Sequence, residues 1–380
     1  MKVVLVTPML PPALGGPGVH ASMMAAFLQK EGEEVSVANF AEVLHLPPLL
    51  RHVIFFFRIA RAARGADVVY VLEAVSTGVP ARAAARLFGL PYVVRTAGLH
   101  AWEQGVQREG LTYSLDEFVA AYAEHPETFS RRVRRWMRLQ CAVVRGAAAC
   151  VVPSKYFAGL YAALGIPRDA VRVVYSAYTP RFGAEGPALK REAYHVVSAG
   201  RLVPWKGFPA LVEALARARR RFPEARLTIA GEGPARAAIE AAIERCGVQD
   251  AVTLSGALSQ DALSALLARA GVFALNTAYE GLSHQLLEAM DAGIPIVTTA
   301  AGGNEELMAK GAHGILFPFN DVPAIEAALS AVWHDPALAR VRAERARRFL
   351  TRFEAEARMR DLYGILRGAA RLKAKAPHAT

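Results

Sequence analysis

The chain has 380 residues, 53% hydrophobic and 21% charged, more than one hydrophobic core usually serves and far too apolar for disorder, so two domains are expected. Its 45 lysines and arginines against 34 acids leave a net charge of +11, which favours anionic partners without choosing among phosphates, anionic lipid and nucleic acid. Cys141, Cys150 and Cys246 show neither a disulfide framework nor metal-ligand spacing, so a reduced, cytoplasmic setting without a structural metal is expected.

Met1-Lys2 leads straight into Val3-Val4-Leu5-Val6, too short for the core of a secretory signal and suited to a buried strand. A glycine-rich stretch, Pro11 to His20, follows, and its Gly16-x-Gly18-x-x-Ala21 could be read as a dinucleotide fingerprint. That fingerprint needs its first glycine directly after the strand, whereas Thr7 to Leu14 intervene, and the next strand ends at Asn39 rather than at an acid. Val35 to Val37, Val68 to Val71, Tyr92 to Val94 and Cys150 to Val152 continue the series, each separated by helical patterns, which is the βα repetition of a parallel sheet. Between them, Leu49 to Arg64 sets Ile54, Phe55, Phe56 and Phe57 among Arg51, Arg58, Arg61 and Arg64. No apolar run approaches the roughly eighteen residues of a spanning helix. His100 follows a strand, where a neutral imidazole could bond a ligand hydroxyl or be a satisfied structural histidine. From Phe129 to Cys150 there are six arginines and no acid, with Arg131, Arg134, Arg135, Arg138 and Arg145 on one helical face. Val133, Trp136, Met137, Val143 and Val144 take the other, so this helix either lies in a membrane interface or packs its apolar side inward and exposes a basic stripe.

Tyr178 to Pro187, rich in glycine and proline, marks a linker. The expected division is an N-terminal domain at 1–180, a linker at 181–192, a second domain at 193–350 and a terminal helix with a basic tail at 351–380. Val196 to Ala199, Leu227 to Ala230, Val252 to Leu254, Val272 to Leu275 and Ile296 to Thr298 give the second domain its own parallel sheet. Two doubly wound α/β domains facing a cleft would hold a ligand beyond the carboxyl ends of their strands. From Asp335 to Leu366 the pattern is helical and amphipathic, and the tail from Gly368 offers little to bury and is expected to fray.

Glu280 follows the Val272 to Leu275 strand, and Glu288 stands two turns into the helix expected after it. Taken alone, they read as solvated helix charges. The stretch Gly200 to Gly207 occupies the equivalent strand-to-helix junction at the start of the same domain, bringing Arg201 and Lys206 to the same strand ends. Cations there suit a departing diphosphate, while Gly281 would let a ligand approach the helix start and its N–H groups.

The ordered set Gly200-Arg201-Leu202, Lys206-Gly207, Gly231-Glu232-Gly233-Pro234, Leu254-Ser255-Gly256, Glu280-x7-Glu288 and Gly302-Gly303 before Glu305-Glu306 resembles the family-4 retaining glycosyltransferases over the whole C-terminal half. The resemblance implies a GT-B fold of two Rossmann-like domains, with Phe353 to Leu366 as the terminal helix crossing back to the first. It implies that Arg201 and Lys206 neutralise the donor diphosphate, that Glu288 binds the ribose hydroxyls and that Glu280 contacts the transferred sugar. Gly281, Leu282, Ser283 and His284 would lie near the phosphates, and Gly231, Gly233 and Gly256 would wall the nucleobase. In the first domain, Gly16 and Gly18 resemble the family's phosphate-approaching loop and His100 a sugar-touching histidine. The activity implied is retaining transfer from a nucleotide-diphosphate sugar, the departing phosphate helping to take the acceptor's proton, with neither metal nor separate cofactor. The expected acceptor is a glycan or lipid-linked molecule, in the cytoplasm or at the inner face of a membrane bound through Arg131, Arg134, Arg135 and Arg138, with the similar segment Leu49 to Arg64 in the same domain suiting the same anionic surface, and with no nucleic-acid partner. A nucleotide-sugar epimerase of the same fold, or a non-catalytic basic binding protein, are the alternatives.

Overall fold

The computed structural model describes residues 1–10, 16–183 and 190–375. The chain divides into two compact units, Met1–Ala177 with Ala355–Thr380 and Tyr178–Glu354. Of the segments expected to be special, the glycine-rich stretch at 11–15, the linker at 184–189 and the end of the tail at 376–380 lie outside the described residues.

The first unit carries strands β1 (Lys2–Thr7), β2 (Glu34–Asn39), β3 (Val68–Leu72), β4 (Tyr92–Arg95), β5 (Ala149–Val152) and β6 (Val171–Val173). Its helices before the second unit are α1 (Gly16–Lys30), α2 (Pro48–Ala63), α3 (Gly78–Leu87), α4 (His100–Glu109), α5 (Leu115–Glu124), α6 (Arg131–Gly146) and α7 (Lys155–Ala163). The sheet is parallel throughout in the order β2-β1-β3-β4-β5-β6. Helices cover both faces of the central strands, so Val3 to Val6 are fully buried and read as an unbroken apolar run rather than an alternation. The arginine-rich α6 turns Val133, Met137, Cys141, Val143 and Val144 into the protein and leaves Arg131, Arg135 and Arg138 exposed.

The second unit carries β7 (Glu192–Ala199), β8 (Arg226–Ala230), β9 (Val252–Gly256), β10 (Ala270–Leu275), β11 (Ile296–Thr299) and β12 (Ile315–Phe317). Its helices are α8 (Phe208–Ala218), α9 (Arg236–Cys246), α10 (Gln260–Arg269), α11 (His284–Ala292), α12 (Asn304–Met308), α13 (Val322–His334) and α14 (Pro336–Phe349). This sheet too is parallel, in the order β12-β11-β10-β7-β8-β9, so the winding reverses between β7 and β10. In the first sheet the reversal falls between β1 and β3.

After a 3-10 turn at Leu350–Phe353, the last helix, α15 (Ala355–Lys375), returns to the first unit. Met359, Leu362, Leu366 and Ala369, at helical spacing, join the core around Val3, Leu5, Met24 and Tyr70. The Tyr363 hydroxyl donates to Glu33, which also holds the amino group of Met1. The tail expected to fray from Gly368 is instead helical to Lys375, because Ala369 is buried and the Lys373 ammonium donates to the Ala66 carbonyl at 2.6 Å. Leu362 is wholly buried, so Leu362→Ala should cost the first unit about 2–5 kcal/mol. Urea unfolding should then show an earlier first-unit transition with an unchanged slope.

Candidate active site

In a doubly wound sheet the strands on either side of the reversal send their following loops in opposite directions, which opens a ligand crevice beyond their carboxyl ends. In the second unit those strands are β7 and β10, and the loops after them carry Lys206 and Glu280. The Lys206 ammonium donates to Glu280 Oε1, with side chains only 9% and 13% exposed. A charged pair this enclosed persists only when the backbone around it is fixed.

That fixing comes from the buried Asn276 and Thr277 and the exposed Asn320, none of which the sequence singles out. Lys206 ends a 3-10 turn, and the Gly207 carbonyl accepts from Asn276 Nδ2 at 2.7 Å. Asn276 also donates to Asn320 Oδ1 at 2.9 Å and accepts from the Asn320 N–H at 3.0 Å. The Trp205 carbonyl accepts from Thr277 Oγ1 at 3.2 Å and from the Ala278 N–H at 2.8 Å. The Glu280 carbonyl accepts from the Gly303 N–H at 3.0 Å, tying in the turn after β11. Arg201 stays exposed with its guanidinium 5.6 Å from the centre of the Trp205 ring.

Ser283 caps α11 by accepting the Leu286 N–H at 3.3 Å, so this helix begins at His284. Gly281 and Leu282 therefore sit in the preceding loop, and Glu288 is one turn further toward the helix start than the sequence suggested. Glu288 Oε1 accepts from Gln260 at 2.6 Å, while Oε2 is buried with no partner among the described residues. Burial raises the Glu288 carboxyl above the ordinary range, with the Gln260 bond and Arg181 opposing. Such an orphaned acceptor is suited to a ligand hydroxyl.

Gly231 and Gly233 answer to close packing of strand ends. A side chain on Gly231 would collide with the Gly200 carbonyl, and one on Gly233 with that of Leu202. The Gly231 N–H in turn donates to the Gly256 carbonyl at 2.8 Å, setting the ends of β7, β8 and β9 side by side.

In the first unit Gly16 and Gly18 open α1, and His20 Nε2 lies 2.7 Å from the Tyr70 hydroxyl. His100 starts α4 with Nδ1 3.5 Å from Glu73 Oε1 and its ring edge-on to Trp136. Burial, seconded by Arg108, holds its pKa down to about 4, so the imidazole is neutral at physiological pH. Glu73 follows β3, beside the reversal of the first sheet, with φ +85°, a conformation rare outside glycine. Its carboxylate accepts from the Val75 and Thr77 N–H groups at 2.6 and 3.1 Å, yet burial outweighs them and raises its pKa. Gln140 pins the turn before His100, donating to the Gly98 carbonyl at 3.3 Å and to the Tyr161 hydroxyl at 2.8 Å. Among the described residues, no group of three or more His, Cys, Asp and Glu could hold a metal. No helix among them is long and apolar enough to cross a membrane.

The first unit matches the glycosyl transferase 4-like domain over residues 38–177, and the second matches glycosyl transferases group 1 over 185–349. Glycogen synthase from Mycobacterium tuberculosis is 37% identical over 183 residues, 48% of this chain and 42% of that protein. Alpha-D-kanosaminyltransferase from Streptomyces kanamyceticus is 29% identical over 238 residues, 59% of this chain and 61% of the relative. The chain thus spans about two fifths to three fifths of these relatives. Among solved structures, Anabaena HepE in complex with UDP superposes with a TM-score of 0.71 at 18% identity, covering 97% of this chain and 100% of that one. Sucrose-phosphate synthase from Thermosynechococcus elongatus gives 0.77 at 19%, covering 97% and 98%. The fold is therefore GT-B. With one glycosyltransferase domain in each unit, the chain belongs to the group 1 glycosyltransferases of the family-4 type.

Proposed function

We propose that this protein transfers a sugar from a nucleoside-diphosphate sugar to a glycan or lipid-linked acceptor, with retention at the anomeric carbon and without a metal. The observation that carries this reading is the enclosed Lys206–Glu280 pair at the winding reversal of the second sheet. Lys206 and the exposed Arg201 supply positive charge where a diphosphate would gain negative charge as it departs, the work a metal would otherwise do. Glu280, anchored by Lys206, presents its carboxylate to hydroxyls of the sugar, and the orphaned Oε2 of Glu288 accepts from the ribose. Gly281, Leu282, Ser283 and His284 line the start of α11 for the phosphates, and the strand ends that Gly231, Gly233 and Gly256 pack together wall the base. Gly16 and Gly18, in the first turn of α1, are assigned to the donor phosphates. His100, neutral, contacts the transferred sugar. The leaving phosphate itself takes the acceptor's proton.

Relatives bracket the donor: HepE binds UDP, and a 35% identical Mycobacterium tuberculosis relative is a GDP-mannose-dependent phosphatidylinositol monomannoside mannosyltransferase. Of the inner-membrane attachment expected through Arg131, Arg134, Arg135 and Arg138, α6 offers only charge, since its apolar side is buried.

Lys206→Ala should lower kcat about a hundredfold with the fold intact. Glu280→Gln should also slow transfer strongly while leaving nucleoside diphosphate binding within about threefold of wild type. Nuclear magnetic resonance of the product from an α-linked donor should show an α-glycoside. A β-product, epimer formation without acceptor, or near-wild-type turnover in both variants contradicts the reading. For His100, a folded pKa near 4 lies below the ordinary 6.5, so the unfolded chain binds the extra proton between them and stability falls as pH drops through that window. His100→Gln should therefore flatten the first unit's acid dependence by about 2 kcal/mol between pH 6.5 and 4.5, measured as the change in urea midpoint.

A further inference from the structure

A surface helix normally shows the solvent a polar face, but α2 is apolar on both sides. Phe55, Ile59 and Ala63 face the core of the first unit. On the opposite side Leu49 is 84% exposed, Leu50 46%, Val53 51% and Phe57 63%, and Leu44 just before the helix is 52% exposed. Leu49, Val53 and Phe57 are spaced by four and Leu50 and Phe57 by seven, so they form one continuous stripe about 12 Å long at 1.5 Å per residue. A contiguous apolar stripe on water marks an interaction surface.

The charges around it identify the partner. Arg61 and Arg64 lie on the same outward side toward the end of the helix, both exposed, and Arg58 and Arg51 stand beside it. Glu42 is the neighbouring acid, and it is already paired with Arg58. A second copy of the chain would bring apolar stripe to apolar stripe but arginine to arginine, with Glu42 already committed to Arg58. A surface that is apolar below and anionic above satisfies both features: hydrocarbon takes the leucine, valine and phenylalanine side chains while phosphates meet the guanidiniums.

We propose that α2 is a membrane-docking helix that lies in the interface of an anionic bilayer, inserting Leu49, Val53 and Phe57 and pairing Arg61 and Arg64 with lipid phosphates. This places the attachment on α2 rather than on the arginine stripe of α6, whose apolar residues are used inside the protein. Vesicle binding requires neither donor nor acceptor, so it stands or falls separately from the transfer reaction.

The test is flotation of the full chain with phosphatidylcholine vesicles containing 30% phosphatidylglycerol or none, at low and high salt. The wild type should float with the anionic vesicles at low salt, less at high salt, and at least about tenfold more weakly with pure phosphatidylcholine. Leu49→Asp with Phe57→Asp should weaken binding at least about tenfold, and Arg61→Glu with Arg64→Glu at least about as much. Arg135→Glu with Arg138→Glu should leave it within about twofold. All six positions are exposed, so thermal unfolding should match the wild type and any loss of binding is not a loss of fold. The proposal is overturned if the wild type ignores anionic vesicles at low salt, if the aspartate variant binds like wild type, or if the α6 variant loses as much as the α2 variants. It is equally overturned if sedimentation shows a dimer that the aspartate variant dissolves while vesicles capture nothing.

Discussion

The contact between Lys206 and Glu280 organises the second unit's chemistry. Two opposite charges placed out of water cost more than they return unless their positions are fixed in advance, and here the fixing is done by neutral groups. Asn276 and Thr277 hold the backbone on which the pair sits by bonding the Gly207 and Trp205 carbonyls, and Asn320 holds Asn276 through two hydrogen bonds. The topology supplies the place: β7 and β10 are neighbours in the sheet but distant in sequence, and their loops diverge where the winding reverses. A cation and a carboxylate are thereby set beyond the same strand ends, pre-organised before any ligand arrives.

The same logic operates more quietly in the first unit. Glu73 stands at that sheet's reversal in a conformation side chains avoid, held by two N–H bonds, with the neutral His100 within 3.5 Å. Strain of this kind persists when the surroundings over-determine it, and Thr77, donating to the carbonyls of Leu72 and Glu73 at 2.6 and 2.9 Å, is part of what does so.

Much of this was legible in the sequence, for identifiable reasons. Central parallel strands are covered on both faces, so Val3 to Val6 or Val272 to Leu275 announce themselves as apolar runs. The edge strands β6 and β12 gave no such signal: each has three residues, and in β6 only Val171 is buried. Spacing located Lys206, Glu280 and Glu288 near strand ends, but it could not show that Ser283 caps α11 and so shortens the helix before Glu288. Asn276 and Asn320 were invisible because an asparagine in a loop reads as turn chemistry, and only folding brings them together across 44 positions. Glu73 was missed because its distinction is a backbone angle, which the residue type argues against. The arginine patterns of α6 and α2 both suit an anionic surface, but the apolar side of α6 is ordinary core, and which residues of α2 point outward became visible only once its inward face was known.

The central claim is that the second unit recognises a diphosphate through Lys206. Thermal unfolding of the wild type and of Lys206→Ala against a panel of nucleoside mono- and diphosphates and their sugars tests it most directly, since a ligand at about a hundred times its dissociation constant adds about 2.7 kcal/mol to the folded state. The account predicts that at least one nucleoside diphosphate stabilises the wild type well beyond its monophosphate, and that Lys206→Ala abolishes the difference. A monophosphate stabilising as much as its diphosphate, or an undiminished diphosphate response in Lys206→Ala, would contradict it.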